Sequence, residues 1–155
     1  IQEFFGTDFS RSYLALQTLQ SRSPKNLWPL LQQRWDEEAH NDYGAHYFFI
    51  RLFGLLGPWP DEAQPVIRNL LNEAITTRRP QFMKSKPAAV LALGAQGWMD
   101  QPGCFEAWLN PEITPFWEVR YAALMLAPAA SASLAFSDPE PYVVAKAKLS
   151  TDGAF

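Results

Sequence analysis

Proline placement constrains this chain more than any other feature. There are thirteen prolines in the 155 residues, a content that by itself opposes helix. Their positions argue the other way. Ser23-Pro24, Thr114-Pro115 and Asp138-Pro139 each set a short polar side chain directly before a proline. Such a pair predicts a helix start: the side-chain oxygen accepts from a free N–H of the first turn, and proline at the first helical position lacks an N–H that has no partner there anyway. Asp100-Gln101-Pro102 and Ser85-Lys86-Pro87 are looser versions of the same signal. Proline and glycine thus cut the apolar runs into helix-sized pieces. Period-two alternation is rare, and no strand competes.

The periodicity predicts a helix over about 62–77. Ala63, Val66, Ile67, Leu70, Leu71, Ala74 and Ile75 form one apolar stripe, and Arg68, Asn69, Asn72 and Glu73 lie opposite. Pro65 leaves two starts open: the helix begins at Pro65, or residues 61–64 form a separate opening turn. The segment 42–56 is apolar nearly all round, with Tyr43, Tyr47, Phe48, Phe49, Ile50, Leu52, Phe53, Leu55 and Leu56, so it belongs at the centre. Gly57-Pro58 ends it, glycine supplying a left-handed turn. Further helices are expected over about 9–21, 24–38 (kinked at Pro29), 86–97 (with Gly97 as C-cap), 102–109, 115–127 and 139–149. Residues 128–137 are rich in Ala and Ser and read as a long loop or linker.

The totals exclude several classes. Net charge is −3, without the basic excess that drives nucleic-acid affinity. Cys104 is the only cysteine, which rules out an internal disulfide and a cysteine-rich zinc site and fits a reducing cytoplasm. No run approaches the ~18 apolar residues of a membrane span. The start Ile1-Gln2-Glu3-Phe4 has no basic leader region and no initiating Met, so a processed product or a fragment of a longer protein is expected.

An internal repeat is visible. Leu52-Phe53-Gly54-Leu55-Leu56-Gly57 aligns with Ala92-Leu93-Gly94-Ala95-Gln96-Gly97, and a tryptophan follows each, Trp59 and Trp98. The spacing, roughly 40 residues built from two helices, is that of HEAT-type solenoids. Trp117-Glu118-Val119-Arg120-Tyr121-Ala122-Ala123-Leu124 resembles the valine-arginine helix of HEAT repeats. Asp138-Pro139-Glu140-Pro141-Tyr142-Val143 resembles the aspartate-led opening of the next repeat, with Val144 where the family has arginine. The chain is similar to a divergent HEAT-repeat protein. That resemblance implies an all-α fold: a short right-handed solenoid of about seven to eight helices in antiparallel pairs, forming one domain over 1–155.

The resemblance further implies a concave face made by the second helix of each pair. Gln32, Gln33 and Asp36 from one pair, and Arg68, Asn69, Asn72 and Glu73 from the next, would meet a protein or peptide there. Arg78, Arg79, Lys84 and Lys86 form the one basic cluster and are candidates for holding an anion, with Phe82 as a stacking ring. Their placement between helix pairs, in an acidic chain, argues against nucleic acid. His40, Asp42 and His46 offer nitrogen and oxygen donors. The two histidines stand six positions apart rather than four, so no helix face joins them, and a polar loop is the better reading than a metal site. HEAT-like iron hydroxylases use His-Glu pairs, and none occurs here. Cys104 follows Pro102-Gly103 near a helix start, a place that can activate a thiol, yet no histidine base is assigned to it, and a structural cysteine is expected. No phosphate-binding glycine loop is present.

No catalytic set and no cofactor signature emerge. The first functional expectation is a non-catalytic scaffold that binds protein through its concave face. The alternatives are a HEAT-like enzyme, either a DNA-alkylation repair glycosylase or a chromophore lyase, and a bacterial immunity protein that blocks a toxin.

Overall fold

The computed structural model describes residues 23–38 and 46–151, without the side chains of residues 36–38 and Gln81. The helix expected over 9–21 and the loop holding His40 and Asp42 lie outside the described residues. Eight α-helices and two short 3-10 turns make up the described secondary structure, and no strand occurs among those residues. The fold is all-α. Packing divides the chain into two units, 1–96 and 97–155, and each is described by itself.

In the first unit, α1 spans Pro24–Glu38, α2 His46–Leu55, α3 Gln64–Thr76 and α4 Lys86–Ala95. Helix α1 starts as its Ser-Pro signal predicts: the Ser23 carbonyl accepts from the N–H of Asn26 and of Leu27, both at 3.1 Å. It continues through Pro29. Helix α2 is central. His46, Phe48, Phe49, Ile50, Leu52 and Phe53 are all buried, as its all-round apolarity requires. Each of the Phe, Ile and Leu side chains contributes about 1.5–3 kcal/mol on burial. Helix α3 follows a separate opening turn, in which the N–H groups of Ala63 and Gln64 both bond the Pro60 carbonyl. Pro65 then sits inside its first turn. The second of the two starts left open by the sequence is the one adopted.

Helix α4 packs against both α2 and α3. Its N-terminal approach meets the start of α2, where the Phe82 and His46 rings stack 4.5 Å apart. Its C-terminal end meets the end of α2: Gln96 Nε2 donates to the carbonyls of Phe53 (2.7 Å) and Leu56 (2.6 Å). Helices α2 and α4 therefore run parallel, and the bonded pair Leu56 and Gln96 is separated by 40 positions. The repeat read from the sequence corresponds to two helices lying side by side.

The paired glycines have different roles. Gly54 permits close approach: a Cβ built there would lie 3.0 Å from both Cα and Cβ of Ala92. Gly57 does not take the expected left-handed turn, because only Gly97 and Gly103 have positive φ among the described residues. Its missing side chain instead leaves room for Gln96 Oε1, 2.9 Å from where a Cβ would sit. Gly97, with φ 73°, is the left-handed residue just beyond α4, as expected. Trp59 is buried and its Nε1 donates to the Phe53 carbonyl at 3.0 Å. Trp98 is only half-buried, so the two tryptophans are not structural equivalents.

In the second unit, α5 spans Cys104–Leu109, α6 Trp117–Leu126, α7 Ala129–Ala132 and α8 Pro141–Thr151, with a 3-10 turn at Ser133–Ala135. The stretch 128–137 is thus not a loop. Ala132 and Ala135 are fully buried, and α7 and the 3-10 turn both pack on α8. Small side chains let this backbone sit close to its neighbour, and composition alone mistakes that for flexibility. Two expected caps also shift. Helix α6 begins at Trp117 with Phe116 before it, and the Thr114 hydroxyl donates to the Ala107 carbonyl at 2.9 Å, at the end of α5. Helix α8 begins at Pro141, and Asp138 Oδ1 accepts from the Glu140 N–H at 2.9 Å in a turn preceding it.

The Gly54–Ala92 contact yields a test. Gly54→Ala is expected to destabilise the protein by about 1–3 kcal/mol through overpacking, and Ala92→Gly in the same chain should restore part of that loss. Denaturant melts of the two single variants and the double variant measure it.

Candidate functional site

The polar rows expected to line a binding face stand on different neighbours. Gln32 and Gln33 are exposed on α1, which packs against α2; the Asp36 side chain lies outside the described residues. Asn69 and Glu73 are exposed on α3, where Arg68 and Asn72 are half-buried. Asn72 Nδ2 is already bonded to the Arg68 carbonyl one turn back, at 3.0 Å.

The basic cluster divides in two. Arg78, Arg79 and Lys84 are exposed, with the Arg79 guanidinium 5.5 Å from the Phe82 ring centre. Lys86 is fully buried. Its Nζ donates to the carbonyls of Ala74 (3.1 Å), Ile75 (2.8 Å) and Thr77. Those groups are the end of α3, where carbonyls lack partners within the helix and carry the negative end of its dipole. Lys86 is therefore a cap for the preceding helix and is withdrawn from anion binding. Phe82 is also unavailable as a stacking platform, being buried against His46 and Trp35.

His46 is buried between aromatic rings, 4.8 Å from Trp35 and 4.5 Å from Phe82. His40 and Asp42 lie outside the described residues. Among the described residues, no group of three His, Cys, Asp or Glu side chains could hold a metal. Cys104 is partly buried, and its Sγ bonds the Met99 carbonyl at 3.1 Å. Burial pushes the thiol up, and the charges of Glu106 and Asp100 add to that, outweighing the N–H of Phe105. This is the opposite of an activated nucleophile.

The second unit holds a surface that periodicity did not single out. Trp117, Tyr121 and Met125 recur at four-residue intervals on α6, away from its buried row of Val119, Ala122 and Ala123. Trp117 stacks on Tyr142 of α8, centroids 5.8 Å apart and planes at 28°, and meets Tyr121 edge-on at 6.3 Å. Trp117 is 36% exposed, Met125 54% and Tyr142 67%. Together they form a partly exposed apolar patch on this unit. The sequence signal was present: large apolar side chains on α6 recur outside its buried row, more than one apolar stripe requires.

Beneath this ledge, Arg120 and Asp138 form a two-pronged buried pair. Nε and Nη2 of Arg120 donate to the two Asp138 oxygens at 2.7 and 2.9 Å. Nη1 of Arg120 bonds the Thr114 carbonyl at 2.9 Å. These are the arginine and the aspartate of the two repeat-like motifs, and they bind each other, fixing the start of α6 to the approach of α8. Burial alone would push the Asp138 carboxyl up. The hydrogen bond from Arg120, the Glu140 N–H and the Arg120 charge outweigh it and hold the group below its ordinary value.

The described residues define an all-helical protein with partly exposed aromatic side chains on α6 and α8. The chain is 50% identical over 93 residues to the bilin biosynthesis protein CpeY of Synechococcus sp. (strain WH8020), a match covering 60% of this chain and 22% of that protein. It is 35% identical over 125 residues to the uncharacterized phycocyanin operon protein Y of Pseudanabaena tenuis (strain PCC 7409), covering 81% of this chain and 28% of that protein. The chain thus spans about a quarter of the length of these curated relatives. No family model and no solved structure matches it. Among the described residues, no helix is long and apolar enough to cross a membrane.

Two predictions follow from the buried charges. Lys86→Met leaves the α3 carbonyls without their donor and should cost about 1–3 kcal/mol or more, whereas Lys84→Ala should change stability by less than about 0.5 kcal/mol; chemical denaturation compares them. For Asp138 the folded-state value is depressed, so its contribution is complete above the ordinary carboxylate range and is lost as pH falls through the folded value. Asp138→Asn should lower stability near neutrality and flatten the acid side of the stability–pH curve below about pH 4.

Proposed function

We propose that this chain is a segment of a bilin-handling protein of the chromophore-lyase type, built from HEAT-like helical layers. The observation that carries this reading is the 50% identity over 93 residues to a bilin biosynthesis protein. The match to a protein of a phycocyanin operon, over 81% of the chain, supports it.

The geometry suits such a role through binding rather than covalent chemistry. A protein that moves a pigment onto an acceptor must hold a flat conjugated molecule and a protein surface in register. Orientation by itself can supply several kcal/mol of a reaction barrier, and a reactive acceptor side chain needs no activated nucleophile from the helper. The raised thiol of Cys104 and the burial of His46 fit that division of labour. The repeat reading is supported by the parallel helices α2 and α4, and by the mutual pairing of Arg120 and Asp138.

The test is pigment attachment in cells that produce a bilin and a bilin-accepting apoprotein. Adding the full chain is expected to raise the yield of pigment that stays with the apoprotein after denaturation. An unchanged yield, with no complex between chain and apoprotein, sinks the reading.

A further inference from the structure

Helix α8 carries a second apolar stripe. Val143 and Ala147 are its buried row. Tyr142, Ala145 and Leu149 recur at i, i+3 and i+7 on another side of the helix, and all three are exposed, Leu149 by 46%. On α6, Trp117 and Met125 widen this stripe, since Trp117 stacks on Tyr142 where the two helices start side by side.

Charges bracket the stripe with opposite signs at opposite ends. Glu118 lies in the first turn of α6, and Glu140 directly precedes α8. Lys148 lies in the last turn of α8 and is exposed. Lys146 is already engaged within the chain, and nothing is asked of it. A uniformly acidic or uniformly basic partner would be repelled at one end of the stripe. A surface with the same stripe and the reverse order of charge fits at both ends. A two-fold rotation of this chain supplies that surface.

We propose that the face of α6 and α8 is a self-complementary interface, on which a second copy of the chain lays its own α8 antiparallel to the first. In that arrangement Tyr142 of each copy meets Leu149 of the other. The small Ala145 at the centre lets the two backbones approach, and Lys148 of each copy faces Glu140 of the other. Helix α8 has 11 residues and is about 16 Å long. The contact is therefore small, and a weak dimer in equilibrium with monomer is expected, with a Kd on the order of 10–100 µM. The dimer does not depend on pigment handling, and its failure leaves the bilin reading untouched.

Sedimentation velocity of the full chain, from micromolar to about 1 mM, tests it. The wild type should pass from monomer to dimer over that range. Tyr142→Ala and Leu149→Arg should each weaken association about tenfold or more. Lys148→Glu should weaken it about fivefold by setting like charges together, and Glu140→Lys in the same chain should restore it. Arg78→Ala, in the first unit, should associate as the wild type does. Thermal melting checks that each variant folds. If Glu140→Lys melts early, the salt dependence of the Lys148→Glu loss reports the charge pairing instead.

A chain that stays monomeric throughout overturns the proposal, as does a dimer that Tyr142→Ala and Leu149→Arg leave intact. A dimer that both variants weaken, but that neither the charge exchange nor salt affects, overturns the antiparallel arrangement.

Discussion

A helix ends with carbonyls that its own backbone cannot satisfy, and the first unit is organised around where those groups find donors. Helix α4 supplies both. Lys86 at its start closes the end of α3, and Gln96 just past its end closes the end of α2. The two caps fix α4 in position along both neighbours. The apolar contacts, including the close approach of Gly54 to Ala92, then follow from that registration. Burying a lysine completely is costly without partners. Here three carbonyls replace its water, and the negative end of the α3 dipole favours its charge.

The second unit solves a related problem with a charge pair. Arg120 and Asp138 are taken out of water together, and all three guanidinium nitrogens and both carboxylate oxygens are bonded: the aspartate accepts from the guanidinium and from the Glu140 N–H, and the arginine also reaches the Thr114 carbonyl. Such pairs contribute less to net stability than to fixing one arrangement over others. The same two helices, α6 and α8, also meet through the stacked rings of Trp117 and Tyr142.

Both units turn polar groups inward. Groups that look chemically active in the sequence, namely Lys86, His46 and Cys104, are each drawn into the fold: a helix cap, an aromatic cluster and a carbonyl bond. Tyr142 and Met125, by contrast, stay largely exposed.

The sequence by itself determined the helical class, the position of most described helices and the 40-residue correspondence between α2 and α4. Those properties are local or periodic: proline and glycine interrupt the backbone where they stand, and an apolar stripe needs only the helical repeat to be seen. Tertiary structure alone decided which polar groups are consumed. Whether Lys86 meets solvent or three carbonyls depends on where the end of α3 lies; Thr114 exchanges its expected cap for the Ala107 carbonyl, and Asp138 adds Arg120 to its local bond with the Glu140 N–H. It also decided that the alanines of 128–137 pack rather than link, and that Trp117 of α6 stacks on Tyr142 of α8. Each of these outcomes depends on the spatial neighbour of a segment, and a one-dimensional pattern carries no record of that neighbour.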